Sequence, residues 1–436
     1  MAPGAAPIFT DDFKTDPYWW EATPPRDFDG TTLPKQADVV VIGSGYTGLH
    51  SALQTARGGR DTIVLDAEQA GFGCSTRNGG QISTSIKPEY DQLARGYGPK
   101  TARAILEDGR DALSWIGEFV AAEGIDCHFK VAGRFHAAHN PAAYNALIRS
   151  IDEEQPDGLE IEAYPVAATE QRSELGTDAY FGGVVLPKHA SLDPGRYHQG
   201  LLERVIEAGA EIVTHCPALA IERQGGDFVI TTSHGKVRAG DIVLATNGYT
   251  GPVSPWQRRR LIPIGSYVIA TEPLTPGLVD RLIPNDRVVS DTRRVVYYYR
   301  ASPDRSRILF GGRVSHGETD PGISGPKLHA EMVRIFPELV DVRISHSWVG
   351  LVAYTFDTLA HAGVHDGIHY AAGYCGSGVS MASYLGMRIG QRVLGLKDAR
   401  IGVDGIRFPT RPFYTGKPWF LAPSVMIYRL RDRLNF

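Results

Sequence analysis

The chain has 436 residues, of which 42% are hydrophobic and 22% are charged, and its formal net charge at pH 7 is −4. This length predicts two domains, or one large domain with insertions, and the composition is typical of a globular protein. The small net charge gives no sign of a nucleic-acid partner or of a broad basic membrane surface. Any function is therefore carried by specific motifs rather than by bulk charge.

The cysteines and the hydropathy pattern indicate where the protein is located and whether it binds a metal. The four cysteines have neither CxxC nor CxxxxC spacing, and the histidines show no metal-ligand pattern, so the sequence assigns no metal site. So few cysteines are typical of a cytoplasmic protein. No apolar run reaches the ~18–20 residues of a membrane span. The N-terminus lacks the basic and apolar segments of a signal peptide.

The chain begins with a predicted arm. Residues 1–36 are rich in Pro, Asp and Thr and show no sustained hydrophobic period. Disordered tails seldom contain adjacent tryptophans, so Tyr18, Trp19 and Trp20 are expected to anchor this arm on the surface.

The next segment predicts a complete β-α-β unit. Residues 39–42 form a continuous apolar run, which is typical of a strand buried on both faces of a parallel sheet. Leu49, Leu53 and Ala56 then recur at helical spacing until Gly58 ends the helix. A second strand is predicted over residues 62–65, and Asp66 follows it.

Three glycines in this unit indicate a dinucleotide site. Gly43 allows the tight turn out of the strand, Gly45 lets the backbone approach a pyrophosphate, and Gly48 lets helix and strand pack closely. The helix N-terminus then directs its N–H groups at the phosphates. The Asp66 carboxylate suits a ribose 2′-hydroxyl and would repel a 2′-phosphate, which favours FAD or NAD. The alternative is a glycine-rich turn of a generic α/β fold.

Further elements follow along the chain. The pattern predicts helices over residues 101–124 and 200–209, strands near 211–215, 241–249, 267–271 and 307–312, and a last helix over 379–394. The segment GFGCSTRNGGQ, residues 71–81, predicts a polar loop whose N–H groups and Arg77 face a pyrophosphate. Standing alone, this loop would be an ordinary surface turn.

These motifs resemble those of the D-amino-acid oxidase and glycine oxidase superfamily. GYTGL and GFGCSTRNGGQ are similar to its flavin-binding signatures, and the second is very similar to the segment in bacterial gamma-glutamylputrescine oxidases. Other similar segments follow in the same order: VVYYYR (295–300), RILFGGR (307–313), RIFPEL (334–339), SWVG (347–350), GYCGSGVS (373–380) and RLRDRLNF (429–436). The resemblance therefore extends over nearly the whole chain.

The resemblance implies an α/β fold in two parts. A Rossmann-type FAD-binding domain would be assembled from residues 37–92, 188–262 and 345–436, the last including a C-terminal tail. An α+β substrate domain with a large mixed or antiparallel sheet would comprise residues 93–187 and 263–344. Residues 1–36 remain the arm.

The resemblance also implies non-covalent FAD and its contacts. The glycine turn would wrap the pyrophosphate, Asp66 would hold the ribose, the 71–81 loop would line the path to the ring, and a helix N-terminus would meet the ring. These residues are Gly43, Ser44, Gly45, Thr47, Gly48, Asp66, Ser75, Arg77, Asn78, Gly79, Gly80, Gln81, Gly376, Ser377, Gly378 and Val379. Relatives usually carry His at position 377 and Ser at position 375, where this chain has Ser377 and Cys375, so the substrate or its contact with the ring is expected to differ.

Four residues are candidates for substrate binding. Period-two alternation places Tyr298 and Arg300 on one face of a strand, where Arg300 could bind a substrate carboxylate beside an aromatic wall. The alternative is a core strand with a surface arginine. Trp348 and Tyr354 are weaker candidates, and the sequence identifies no general base.

The implied reaction is oxidation of a C–N bond in a small amine or amino acid. Hydride would pass from the carbon beside nitrogen to flavin N5, and the imine would hydrolyse. Molecular oxygen is the expected electron acceptor. The alternatives are a dehydrogenase of the same fold that passes electrons to a quinone or carrier, and a flavin-binding protein without amine oxidase activity. The apolar and basic C-terminal segment also leaves peripheral membrane contact open.

Overall fold

The computed structural model describes residues 7–84, 86–152, 156–313 and 320–434. The first six residues of the predicted arm and the last two residues of the RLRDRLNF motif lie outside these ranges. Within the ranges, the chain forms nineteen β-strands and ten α-helices.

The strands and helices have the following bounds. The strands are β1 (Phe9–Lys14), β2 (Gln36–Ile42), β3 (Thr62–Leu65), β4 (Gln81–Ile82), β5 (Arg134–Ala137), β6 (Tyr164–Val166), β7 (Gly183–Leu186), β8 (Ala190–Ser191), β9 (Glu211–Val213), β10 (Ala218–Gln224), β11 (Asp227–Thr232), β12 (Gly235–Leu244), β13 (Ile262–Thr271), β14 (Val288–Asp291), β15 (Tyr297–Ala301), β16 (Ile308–Gly312), β17 (Ile344–Tyr354), β18 (His361–His365) and β19 (Ile368–Ala372). The helices are α1 (Tyr46–Arg57), α2 (Tyr90–Tyr97), α3 (Pro99–Ala122), α4 (Pro141–Asp152), α5 (Pro194–Glu207), α6 (Pro255–Arg258), α7 (Leu278–Leu282), α8 (Pro321–Ile335), α9 (Gly378–Val393) and α10 (Leu421–Leu434).

The predicted β-α-β unit forms the centre of a parallel sheet. Strand β2 lies between β3 and β12 and runs parallel to both, and the parallel order continues to β9 on one side and β19 on the other. Val39, Val40 and Val41 are completely buried, because helices cover one face of the sheet and further apolar side chains cover the other. The apolar run therefore forms the strand that it predicted.

Helices α1 and α9 lie against each other over this sheet at very short range. A Cβ atom added to Gly386 would lie 2.5 Å from the Thr47 carbonyl oxygen, and one added to Gly390 would lie 2.7 Å from that of Ser51. The Ser51 hydroxyl donates a hydrogen bond of 2.8 Å to the Gly386 carbonyl. The two glycines of α9 carry no side chains, and α1 and α9 therefore pack closely against each other.

A second, mixed sheet of nine strands has the order β1-β17-β13-β16-β15-β14-β5-β7-β6. Tyr297 and Tyr299 of β15 lie on one face in an apolar core that includes Phe310 and Phe336. Tyr298 and Arg300 point to the opposite face, as the alternation predicted. Strand β17 continues this sheet from Ile344 to Tyr354, and the predicted domain boundaries remain predictions.

The N-terminal arm is ordered by strand pairing and by tryptophan side chains. Strand β1 pairs parallel to β17. The Trp19 side chain is 1% exposed, and its Nε1 donates to the carbonyl of Asn78 at 2.9 Å. The Trp20 Nε1 donates to the hydroxyl of Thr76 at 2.8 Å. The arm therefore supports the 71–81 loop from behind.

The C-terminal segment differs from the prediction. The helix predicted over residues 379–394 is α9, but it is not the last helix, because α10 follows. The sequence of residues 421–434 did not indicate a helix, because its apolar residues do not lie on one buried face. Val425 is buried, whereas Met426 and Ile427 are exposed. None of the helices in the described ranges is long and apolar enough to span a membrane.

Candidate cofactor and substrate site

The glycine turn between β2 and α1 has the geometry that only glycine permits. Gly43 has φ +107°, and a Cβ atom there would lie 2.9 Å from the Ala245 carbonyl oxygen. A Cβ atom at Gly48 would lie 1.8 Å from the Gly43 carbonyl oxygen. Gly45 precedes the first turn of α1 and carries no side chain to cap it, so a ligand can approach this helix end closely.

Asp66 lies at the end of β3 and is held in place by its neighbours. One oxygen of its carboxylate accepts hydrogen bonds from the backbone N–H and the hydroxyl of Ser44, at 2.8 and 2.5 Å. The other oxygen accepts from the backbone N–H of Glu68 at 3.0 Å. A carboxylate oxygen accepts more than one bond, so the fixed group can still receive a ribose hydroxyl.

The 71–81 loop closes over the start of α1. The Ser75 hydroxyl accepts a hydrogen bond of 3.0 Å from the backbone N–H of Tyr46. The Asn78 amide donates to the carbonyls of Cys74 and Ser75 at 3.1 and 2.9 Å, which makes the loop rigid. Arg77 lies between the rings of Trp20 and Phe72, each centroid 4.5 Å from its guanidinium carbon.

The N-terminus of α9 faces the other end of the same cavity. Gly376 has φ +101°, and Ser377 precedes the helix without capping it through its side chain. The Tyr374 hydroxyl lies 2.5 Å from the Thr47 hydroxyl, which ties this loop to the first turn of α1. Two open helix N-termini therefore face one space.

A cavity of about 1440 Å³ connects these parts. It is lined by most of the predicted cofactor residues, namely Gly43, Ser44, Gly45, Thr47, Asp66, Ser75, Arg77, Asn78, Gly79, Gln81, Gly376, Ser377, Gly378 and Val379. Gly48 and Gly80 lie behind its wall, where they allow close backbone packing. The volume exceeds the ~300–1,000 Å³ of common small-molecule pockets, so a dinucleotide and a substrate fit together.

Tyrosines from the nine-stranded sheet form the wall opposite α9. The Tyr298 hydroxyl lies 2.9 Å from the Ser266 hydroxyl, and its ring lies 3.0 Å from where a Cβ atom of Gly79 would be. Burial raises the pKa of Tyr298 to about 12, so the phenol stays protonated. Tyr354 also lines the cavity, and its hydroxyl accepts a 3.0 Å hydrogen bond from the Lys87 ammonium.

Comparison with known proteins decides the family. The profile of the FAD dependent oxidoreductase family (DAO) matches residues 38–392. The chain belongs to this family. It is 31% identical over 435 residues to the probable oxidoreductase OrdL of Rhizobium meliloti (strain 1021), covering 95% of this chain and 97% of that protein. It is 31% identical over 413 residues to the gamma-glutamylputrescine oxidoreductase of Escherichia coli (strain K12), covering 94% and 96%.

Solved structures agree on the fold. The glycine oxidase from Geobacillus kaustophilus has a TM-score of 0.70 at 16% identity, covering 84% of this chain and 96% of that chain. The L-proline dehydrogenase from P. horikoshii has a TM-score of 0.68 at 17% identity, covering 85% and 96%. The predicted family and fold class are confirmed. The protein is an FAD-dependent oxidoreductase.

Arg300, predicted to bind a substrate carboxylate, lies outside the cavity of this oxidoreductase. Its side chain is 6% exposed, and it donates to the carbonyls of Gly80 at 3.2 Å, Leu192 at 2.8 Å and Ala301 at 3.0 Å. Burial lowers the pKa of Arg300 to about 10. This geometry corrects the sequence-based expectation, because the guanidinium is enclosed by backbone carbonyls behind the cavity wall.

Replacing Arg300 with methionine is therefore expected to affect stability. The change removes three hydrogen bonds to buried carbonyls and should lower the free energy of unfolding by about 1–3 kcal/mol, measured by urea denaturation. Methionine at the exposed Arg149 of α4 is the matched control and should change stability by less than about 0.5 kcal/mol. Unchanged stability, with weaker binding of acidic substrates alone, would restore the sequence-based interpretation.

Trp348 also lies away from the cavity. Its side chain is completely buried among Trp19, Val268 and Leu309, and its Nε1 donates to the Arg77 carbonyl at 2.9 Å. It therefore holds the 71–81 loop against the large sheet. Of the four predicted substrate-binding residues, Tyr298 and Tyr354 line the cavity, and Arg300 and Trp348 do not.

Several residues that line the cavity were not predicted from the sequence. Lys87, Arg134, His136 and His189 all line the cavity. The alternation of Arg134, Phe135, His136 and Ala137 was an available signal, since it is the pattern of a strand with one polar and one buried face. No local pattern marks Lys87.

The two departures from the family pattern lie beside the α9 N-terminus. Cys375 is 2% exposed, its thiol donates to the Gly373 carbonyl at 3.1 Å, and burial raises its pKa. A buried thiol with a raised pKa is a poor nucleophile, so Cys375 fills space. Ser377 lines the cavity, where it presents a smaller group than histidine would.

Proposed function

We propose that this enzyme oxidises a C–N bond of a small amine or amino acid and that molecular oxygen reoxidises the flavin. The carrying observation is the continuous cavity that joins the glycine turn to a chamber between α9 and the tyrosine-bearing sheet. The free cysteines and the cytoplasmic setting predicted from the sequence suit such an enzyme. When bound, FAD supplies the hydride acceptor, its N5 atom.

The predicted cofactor residues bind different parts of non-covalent FAD. In this proposal Gly43, Gly45 and the first turn of α1 receive the pyrophosphate, and Asp66 receives the adenosine ribose. Asn78 and its neighbours guide the chain towards the ring. The open N-terminus of α9 contributes positive potential beside the ring, which stabilises negative charge there.

Charged residues of the chamber favour a neutral amine. Lys87 and Arg313 line this region, whereas Asp291, the acid that reaches it, is bound by Arg293. Nearby cations lower the pKa of a bound amine, since they disfavour its ammonium form. The chamber thus promotes the form with a free lone pair, which hydride loss from the adjacent carbon requires. Tyr298 and Tyr354 exclude water from one side.

A second acceptor is supported by one surface feature. The C-terminal region exposes Phe413, Trp419, Met426 and Ile427, the last two on α10, which also lines the cavity through Leu421 and Val425. An apolar surface near a flavin site would suit a dehydrogenase that docks on a membrane and passes electrons to a quinone. Co-sedimentation with lipid vesicles, followed by flavin reoxidation with a soluble quinone, separates this alternative from the oxidase.

The proposal is tested by reducing the bound flavin with amines in the absence of oxygen. The purified protein is expected to be yellow, and denaturation should release its flavin as free FAD. A panel of primary amines, secondary amines and amino acids should include compounds that bleach the flavin, and admitted oxygen should restore its colour. A panel without any reducing amine would contradict the proposed reaction. Fast reoxidation by quinone alone would favour the dehydrogenase.

A further inference from the structure

An arginine that forms no ion pair within the described residues lies at the far end of the cavity. Arg134 and His136 occupy alternate positions on β5 and face the cavity, whereas Phe135 and Ala137 face the opposite core. The Arg134 Nε is shut off from solvent without a hydrogen-bond acceptor. In the part of the chain that the structure describes, no carboxylate forms an ion pair with this guanidinium.

Three other shielded arginines near Arg134 are bound by groups of the chain. Arg287 forms an ion pair of 2.5 Å with Glu174, and Arg300 donates to three carbonyls. Arg293 binds Asp291, which also accepts from the backbone of Tyr297. Asp291 is thus not available to Arg134. A shielded cation is costly unless it is paired, so the unsatisfied Nε of Arg134 in a cavity wall indicates an anion supplied by a ligand.

Arg134 is charged at neutral pH, whereas the histidines around it at this end of the cavity are neutral. Burial lowers the pKa of Arg134 to about 10, which leaves it charged at neutral pH. Burial, with the nearby Arg134 charge, lowers the pKa of His136 to about 4 and that of His189 to about 3, so both imidazoles are neutral. His136 Nδ1 lies 3.0 Å from the Ser290 hydroxyl, and His189 Nε2 lies 3.3 Å from the Thr84 hydroxyl. These groups give a polar lining without negative charge.

The register of the sheet sets the length of the ligand. His136, Ser290 and Tyr298 are aligned on three successive strands, β5, β14 and β15. Neighbouring strands lie ~4.8 Å apart, so the Arg134 end is roughly 10 Å across the sheet from the tyrosine wall of the chamber. A molecule that reaches both places is elongated.

We propose that Arg134 binds a carboxylate carried by the substrate at the end remote from its reacting amine. The inference rests on the proposed amine oxidation and specifies its substrate class: linear amines with a carboxylate roughly 10 Å from the oxidised carbon. Arg134 is then a specificity-determining residue that takes no part in hydride transfer.

The test compares two series of amines of matched length. One series is ω-amino carboxylates (aminobutanoate, aminohexanoate and aminooctanoate), and the other is the corresponding alkylamines. Anaerobic stopped-flow gives the substrate Kd and the rate constant of flavin reduction. Wild-type enzyme should prefer aminooctanoate to octylamine by tenfold or more, and this preference should become smaller as both chains are shortened. Equal Kd values for both would overturn the inference.

Variants at Arg134 separate charge from structure. Arg134→Met should weaken aminooctanoate binding about 10- to 100-fold and leave octylamine unchanged, because it removes a charge-assisted bond. Arg134→Lys should restore part of the preference, and Arg149→Met should match wild type. Equal losses for both amines, with FAD retained, would mean a structural role. If Arg134→Met loses FAD, the inference is judged from the preference for aminooctanoate over octylamine in the wild-type and Arg134→Lys enzymes.

Failure of the proposed function gives a different result. If no amine of either series reduces the wild-type flavin, the amine-oxidation proposal fails. Octanoate then probes the subsite alone, through its perturbation of the flavin absorbance. Perturbation in wild type and Arg149→Met but not in Arg134→Met would support the anion subsite. Identical perturbation in all three proteins would reject it.

Discussion

Replacing Gly45 with valine is expected to abolish FAD binding while the chain stays folded. Gly45 precedes α1 in extended backbone with φ −75°, which valine adopts without strain. A Cβ atom there would lie 2.9 Å from the Ser75 hydroxyl oxygen, so the larger side chain fills the gap between α1 and the 71–81 loop. In the proposed cradle the pyrophosphate lies against the Gly45 backbone, so the valine side chain and the displaced loop take the space that it needs. The ratio of flavin to protein absorbance should fall from one FAD per chain to nearly none.

The control for this variant is another glycine replaced by valine. Gly226 lies in the exposed turn between β10 and β11, and a Cβ atom there meets nothing within 4 Å. Gly226→Val should keep full FAD, and circular dichroism should show both variants folded. A Gly45→Val protein that retains one FAD per chain would place the cofactor elsewhere. Gly48 is a poorer choice for this test, since a Cβ atom would lie 1.8 Å from the Gly43 carbonyl oxygen and disrupt the fold itself.

The parts of the fold that the sequence predicted are those encoded locally. The apolar run at residues 39–42, the glycine turn and Asp66 lie within one β-α-β unit, so spacing alone was sufficient. The nine-stranded sheet is different, because its neighbours come from distant segments. Strand β14 pairs with β5, which lies more than a hundred residues earlier, and no local pattern records such a pairing. The resemblance, rather than periodicity, predicted this sheet.

The substrate residues show the same limit at the scale of single side chains. Alternation correctly placed Tyr298 and Arg300 on one face, but it carries no information about what covers each position. The Gly80 and Leu192 carbonyls cover Arg300, while Tyr298 reaches the cavity. Arg134 has the same alternation as Arg300, and only the packing of β5 against the cavity distinguishes them.

Flavin reduction is expected to accelerate about tenfold for each pH unit below the pKa of the free amine. An ordinary alkylamine has a pKa near ~10.4, so the reactive neutral fraction rises with pH by that factor. Burial raises the pKa of Asp291, which reaches the chamber, to about 6, so the rise is measured between pH 7 and 9, where the following groups do not titrate. The pKa is lowered to about 4 for His136 and about 3 for His189, and raised to about 12 for Tyr298. Arg134 stays charged below its pKa of about 10. A flat profile of the reduction rate constant divided by Kd would contradict the neutral-amine mechanism.

The same profile tests how the chamber acts on the bound amine. Because cations lower the pKa of a bound amine, the reduction rate constant at saturation should level off at lower pH than its ratio to Kd. Lys87, whose ammonium bonds the Tyr354 hydroxyl at 3.0 Å, is the cation on the tyrosine wall. Lys87→Met should move the plateau to higher pH, since the ammonium form of the bound amine becomes less disfavoured. Methionine at Lys236, an exposed residue of β12, should leave the plateau in place. A plateau that Lys87→Met leaves unmoved would assign the lowered pKa to desolvation by the tyrosines instead.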